Sequence, residues 1–131
     1  MATWVEVREI ATALPEVEER EGRNDWRVRN KSFVFERPLR RADHEALGPL
    51  APQGSILAAW VGDLGVKEAL LADAPEIYFT TPHFDGYRLV LARLDRMDPT
   101  ELTELVVDAW VTRAPQRLAA QYLDTHGPPM P

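Results

Sequence analysis

Two apolar runs bracket the stretch Tyr78-Phe79-Thr80-Thr81-Pro82-His83-Phe84-Asp85-Gly86-Tyr87, with Ile77 to Phe79 before the turn residues and Leu89 to Leu94 after them. Aspartate followed by glycine between such runs is a strong short-range hairpin signal, because glycine accepts the positive φ that tight turns demand. The pattern predicts two strands joined by a tight turn at Asp85-Gly86. The chain therefore contains an antiparallel pair of strands at this point. The connection also gathers the polar and ionisable residues Thr80, Thr81, His83 and Asp85 beside aromatic ones.

The helical segments carry clear start signals. Thr3-Trp4-Val5-Glu6 reads as a capping box, and Trp4, Val7, Ala11 and Leu14 follow at helical spacing. Pro15 disfavours helical geometry at Leu14, so the first helix is expected over residues 4–13. Residues 16–36 read as a meander of short strands, with turns at Gly22 to Asp25 and at Asn30-Lys31 and with Trp26 half-buried. A short helix is expected over 42–47 with Asp43 near its cap, broken by Gly48-Pro49. Ile56 to Val61 reads as a buried strand. Asp63 caps a helix from Leu64 to Asp73 whose stripe is Leu64, Glu68 and Leu71. Asp98-Pro99-Thr100-Glu101 opens the last helix, and Leu102, Leu105, Val106, Ala109 and Trp110 form its apolar face. Pro115 kinks or restarts that helix before Leu118, Ala119 and Tyr122.

This order implies an α+β fold. One antiparallel sheet is covered on one face by the N- and C-terminal helices. At 131 residues the chain is expected to be one domain, residues 1–124, followed by a flexible proline-rich tail, residues 125–131. With no cysteine it has neither a disulfide nor a thiolate metal site. No apolar stretch nears the roughly 20 residues of a membrane helix. The opening MATWVEVREIATAL is not a signal peptide, so a cytoplasmic protein without membrane contact is expected.

The net charge of −6 argues against unspecific attraction to nucleic acid. Its distribution is uneven. Between residues 20 and 41 the basic side chains are Arg20, Arg23, Arg27, Arg29, Lys31, Arg37, Arg40 and Arg41, against the acids Glu21, Asp25 and Glu36. Such an island can form a local anion site, or it can be a solvated hairpin whose charges block edge pairing.

Several segments carry a family resemblance. They are Leu14-Pro15, Trp26 to Phe33, Glu68 to Leu71, Tyr78 to Gly86, Glu101-Leu102, Asp108 to Trp110 and Ala114 to Leu118. On these residues the chain resembles the MmcQ/YjbR family from about residue 4 to 122, with Lys31 before Ser32-Phe33 and the T-P-H-F-D-G stretch as the specific parts. The resemblance implies a curved, secretion-chaperone-like α+β domain and a DNA-binding label. Asn30 stands where the family usually has glycine, and Asp108-Ala109-Trp110 where a serine-tyrosine type pair is common.

The expected function is a non-enzymatic binding module that contacts nucleic-acid phosphates through a basic hairpin. Arg27, Arg29 and Lys31 make those contacts, and Thr80, Thr81 and His83 form a neighbouring wall. Two alternatives stand beside it. One is a protein-interaction module. The other is a small-molecule enzyme in which Asp85 orients His83 as a base. No motif marks a nucleophile or a glycine-rich phosphate loop, so no catalytic residue is assigned. His44, His83 and His126 have no zinc-binding spacing, so no metal or cofactor is expected. Trp60 and Trp110 are expected in the core, with Phe84 and Tyr87 the exposed aromatics.

Overall fold

The structure, a computed structural model, describes residues 2–52 and 54–126. In chain order the elements are helix α1 (Trp4–Thr12), strands β1 (Val17–Glu19), β2 (Asp25–Val28) and β3 (Lys31–Glu36), helix α2 (Arg41–Leu47) and strand β4 (Ile56–Trp60). Then come helix α3 (Leu64–Asp73), strands β5 (Tyr78–Phe79) and β6 (Leu89–Arg93), and helices α4 (Pro99–Arg113) and α5 (Gln116–His126). The six strands form one sheet, paired antiparallel throughout, in the order β1-β2-β3-β4-β6-β5. The α+β fold expected from the sequence is the one observed.

Cap chemistry sets the helix boundaries. Thr3, Asp63 and Asp98 each accept the amide of the residue three positions on, satisfying a donor that the first helical turn leaves free. In α1 the box is complete, because Glu6 reaches back to the Thr3 amide. Pro115 restarts the chain as α5 after an extended Ala114. Helix α5 continues through Thr125 and His126, into the stretch expected to be tail, while residues 127–131 lie outside the described residues.

Helix α4 lies across β3 and β4, and α1 lies against α4, β1 and β2. The core on this face holds Trp26, Phe33, Leu57, Leu102, Val106 and Trp110. A register shift in β2–β3 pairs Trp26 with Val34 and Arg27 with Ser32, which leaves Phe33 as the extra residue. Such a bulge puts two successive side chains on one face, and both Phe33 and Val34 are fully buried beneath the helices. Trp26, expected half-buried, is also fully buried: it stacks on Trp4 and its indole donates to Glu19.

The opposite face has a smaller core of Ile56, Ala58, Phe79, Leu89 and Leu91, capped by Phe84 and flanked by Leu39 and Leu47. Central β4 therefore buries both of its faces, which explains its unbroken apolar run. Helix α3 departs from the expected stripe. Leu64 is 44% exposed, and the residue turned inward is Lys67.

The β2–β3 turn lies one residue earlier than expected, at Arg29-Asn30, with φ of 49° and 66°. Two positive φ values at the centre of a two-residue hairpin match the twist of the flanking strands. Asparagine tolerates this geometry and a β-branched residue does not. Asn30→Val is expected to cost about 1–2 kcal/mol of stability, whereas Asn30→Gly stays at or above wild type. Urea unfolding of the two variants checks this.

Candidate functional site

The strand register sets the site. Val34 pairs with Ala59 and Trp60 with Leu89, so the start of β3, the end of β4 and the start of β6 meet at one end of the sheet. The hairpin cations expected to bind anions stand here, but they are not equivalent. Arg27 is held by Asp25, with Nη2 3.1 Å from Oδ2, and the Ser32 hydroxyl donates to the same carboxylate at 2.7 Å. Arg29 is paired with Glu16, and each holds the other in its charged form: the hydrogen bond lowers the Glu16 pKa and raises that of Arg29. Lys31 is exposed and has no ion pair among the described residues.

Two further arginines, not singled out in the sequence, join Lys31 at this end. Arg113, in the last turn of α4, donates through Nε to the Ser32 carbonyl at 3.2 Å, and its guanidinium lies 4.3 Å from the centre of the Trp60 ring. Trp60, expected in the core, is thus half-buried under a cation. Arg88 precedes β6, with Nη1 3.5 Å from the Gly62 carbonyl. Burial and then the nearby Arg88 charge both lower the Arg113 pKa. Among the described residues neither arginine has a carboxylate partner. Arg88 and Arg113 therefore stand as two neighbouring positive charges without a carboxylate partner among the described residues, with Lys31 one residue from the Ser32 carbonyl that Arg113 holds and the half-exposed Tyr87 next to Arg88. The Arg113 contact spans 81 residues of sequence, so no local pattern could reveal it.

The Thr80–Tyr87 connection is built differently from the expected hairpin. Strands β5 and β6 do pair, but Phe79 meets Leu91, leaving a long link between them. The link contains a 3₁₀ turn at Pro82–Phe84 and then a turn closed by the Tyr87 amide on the Phe84 carbonyl at 3.0 Å. Asp85 has φ −58° and ψ 128°, and Gly86 has φ 80°, which is type II geometry. Asp85 keeps a negative φ, so the pair cannot make the tight hairpin turn that the dipeptide suggests.

Buried polar side chains hold this link from beneath. Phe84, expected to be exposed, inserts into the second core. The Arg37 guanidinium lies 5.2 Å from its ring centre and pairs with Asp43, Nη2 to Oδ2 3.2 Å, in ion-pair contact without hydrogen-bond alignment. Arg37 also donates to the Pro38 carbonyl, and Asp43 accepts the Arg40 amide at 2.9 Å. Burial alone would raise the Asp43 carboxyl. The Arg40 amide, the Arg37 charge and the nearby Thr81 hydroxyl together bring it below the usual carboxylate range. The Thr81 hydroxyl lies near Asp43 without hydrogen-bond geometry. From the other side Lys67 donates to the Phe84 and Tyr87 carbonyls at 2.8 and 2.9 Å. Burial lowers the Lys67 pKa, and Asp85 works against that drop.

Among the residues expected to form the binding wall, Thr81 is 1% exposed and out of reach of a macromolecular ligand. The Thr80 hydroxyl is buried without a hydrogen-bond partner among the described residues. His83 is exposed, its ring edge-on to Phe84 at 4.7 Å and 6.3 Å from Tyr87. No hydrogen bond or ion pair joins His83 to Asp85 among the described residues. In this stretch His83, Asp85 and Tyr87 are side chains on the surface.

Fold and site together define a small α+β domain, an open antiparallel sheet backed by its first and fourth helices, with uncompensated cations at one sheet end. The chain belongs to the YjbR family, whose description matches residues 12–112. It is 47% identical over 130 residues to an uncharacterized protein of Mycobacterium tuberculosis and to one of Mycobacterium bovis, covering 97% of this chain and 100% of each relative. No solved structure matches significantly. No described helix is long and apolar enough to cross a membrane.

Proposed function

We propose that this protein is a non-enzymatic binding module for nucleic acid, taking phosphates at the sheet end formed by Lys31, Arg88 and Arg113. The observation that carries this reading is that Arg88, on the Gly62 carbonyl, and Arg113, over Trp60, stand at the same sheet end with no carboxylate partner among the described residues. Folding two like charges together is unfavourable unless an anion offsets it. Arg27 and Arg29 play a lesser part, because Asp25 and Glu16 already neutralise them. Tyr87 offers a flat exposed surface beside the charges, suited to an unstacked base. His83 lies beside Tyr87 at the edge of the same surface.

The acidic remainder of the molecule repels polyanions, so contact is confined to this end and is modest in strength. The test is fluorescence-polarisation titration of a labelled duplex and a labelled single strand over a range of salt. Three phosphate contacts predict that log affinity falls with log salt with a slope of about −2 to −3. A slope near zero, or no binding at low salt, would contradict this reading and favour a protein partner.

A further inference from the structure

We infer that the cleft between α3 and α4 binds a small organic cation, an ammonium group carried on an apolar stem. This inference is independent of nucleic-acid binding. The cleft has a volume of about 300 Å³, at the lower end of the range for small-molecule sites. Its walls are apolar, with Val61, Val66, Leu70, Leu105 and Val111. Its charged groups are all of one sign: Glu101, Glu104 and Asp108 of α4.

Positions 101, 104 and 108 follow helical spacing, so α4 turns the three carboxylates to the same side. Tyr78, 2% exposed, lines the cleft and donates its hydroxyl to Glu101. Burial, then the hydrogen bond to Glu101, then the charges of Glu101, Glu104 and Asp108 oppose ionisation of that phenol, and all three carboxylates line the same cleft. Burial and the Glu104 charge likewise push the Asp108 carboxyl up. No lysine, arginine or histidine lines the cleft, and none of the three acids is in an ion pair among the described residues.

Negative charge gathered on the α4 wall, with the nearest cations Arg113 and Arg88 engaged at the rim by Trp60 and Gly62, selects a cation inside the cleft, and the apolar walls select its stem. A hydrated metal ion would leave those walls unused. An ammonium group can donate to Glu104 and Asp108 while its stem lies against Leu70, Leu105 and Val111.

The test uses the full chain with 2-phenylethylamine, 2-phenylethanol and spermidine, followed by calorimetry and by chemical-shift mapping. The amine is expected to bind about tenfold tighter than the alcohol, the difference made by one charge-assisted contact. It should shift the resonances of Leu70, Leu105 and Val111, and Glu104→Gln/Asp108→Asn should weaken it by a similar factor. Should that double variant fail to fold, Asp108→Asn alone and the shift map on wild type decide. The inference is overturned by equal affinity for amine and alcohol, or by shifts away from the cleft. It is overturned too by spermidine binding as tightly as the aromatic amine, which would mean charge alone, or by no binding at millimolar concentration.

Discussion

Arg37→Met is expected to be among the most damaging single substitutions in the molecule, costing about 3–5 kcal/mol of folding stability. Arg37 and Asp43 are 7% and 3% exposed, and their pair ties helix α2 to the end of β3. Removing the guanidinium leaves a buried carboxylate with the Arg40 amide as its only aligned donor among the described residues. The cost comes from that uncompensated charge more than from the lost attraction. Arg37→Met/Asp43→Leu should therefore recover much of the loss, since two apolar side chains leave no charge buried. A denaturant series on the two variants checks this, and equal losses would remove the argument.

The same carboxyl sets a pH dependence. The folded state lowers the Asp43 pKa below its ordinary 3.8. A carboxyl depressed on folding contributes stability that is complete above the unfolded pKa and is lost as pH falls through the folded one. The protein should therefore lose stability below about pH 4 more steeply than Asp43→Asn does. Parallel acid profiles in the two would show that Asp43 is not the group responsible.

Trp110→Ala is expected to cost a comparable 3–5 kcal/mol or so, the range for deleting a large buried aromatic ring. Trp110 is fully buried, its indole donates to the Pro15 carbonyl at 3.1 Å, and its ring meets Tyr122 edge-on with centroids 5.1 Å apart. It thus joins α4 to the end of α1 and to α5. The variant loses apolar burial and also leaves a carbonyl without its donor. Unfolding monitored at Trp26 and Trp60 would measure the loss. A change below about 1 kcal/mol would mean that the surrounding helices collapse into the space.

Helices were the most legible part of the sequence, because their signals are local. Asp63 and Asp98 cap the helices they precede, and the stripe Leu102, Leu105, Val106, Ala109 and Trp110 is buried in full. The turns were legible only in part. Asp85-Gly86 does carry a positive φ, but at the glycine alone, and Phe84 draws the link back across the sheet instead of letting it close tightly. The site was the least legible. Glu16 lies 13 residues from Arg29, and Ser32 lies 81 from Arg113, so folding neutralises one arginine and recruits another with no sign in local sequence. Burial of Lys67 was equally hidden, because its two acceptors are backbone carbonyls 17 and 20 residues away.

The most direct test of the binding account compares two charge variants of equal folded content in the same salt titration of a labelled single strand. In Lys31→Ala/Arg88→Ala/Arg113→Ala the salt slope should fall by about one for each lost phosphate contact, and binding should vanish near physiological salt. Arg27→Ala/Arg29→Ala, whose arginines already have carboxylate partners, should keep most of the wild-type affinity. Loss of binding in the second variant with the first unaffected would contradict the account and return the site to the face of the hairpin.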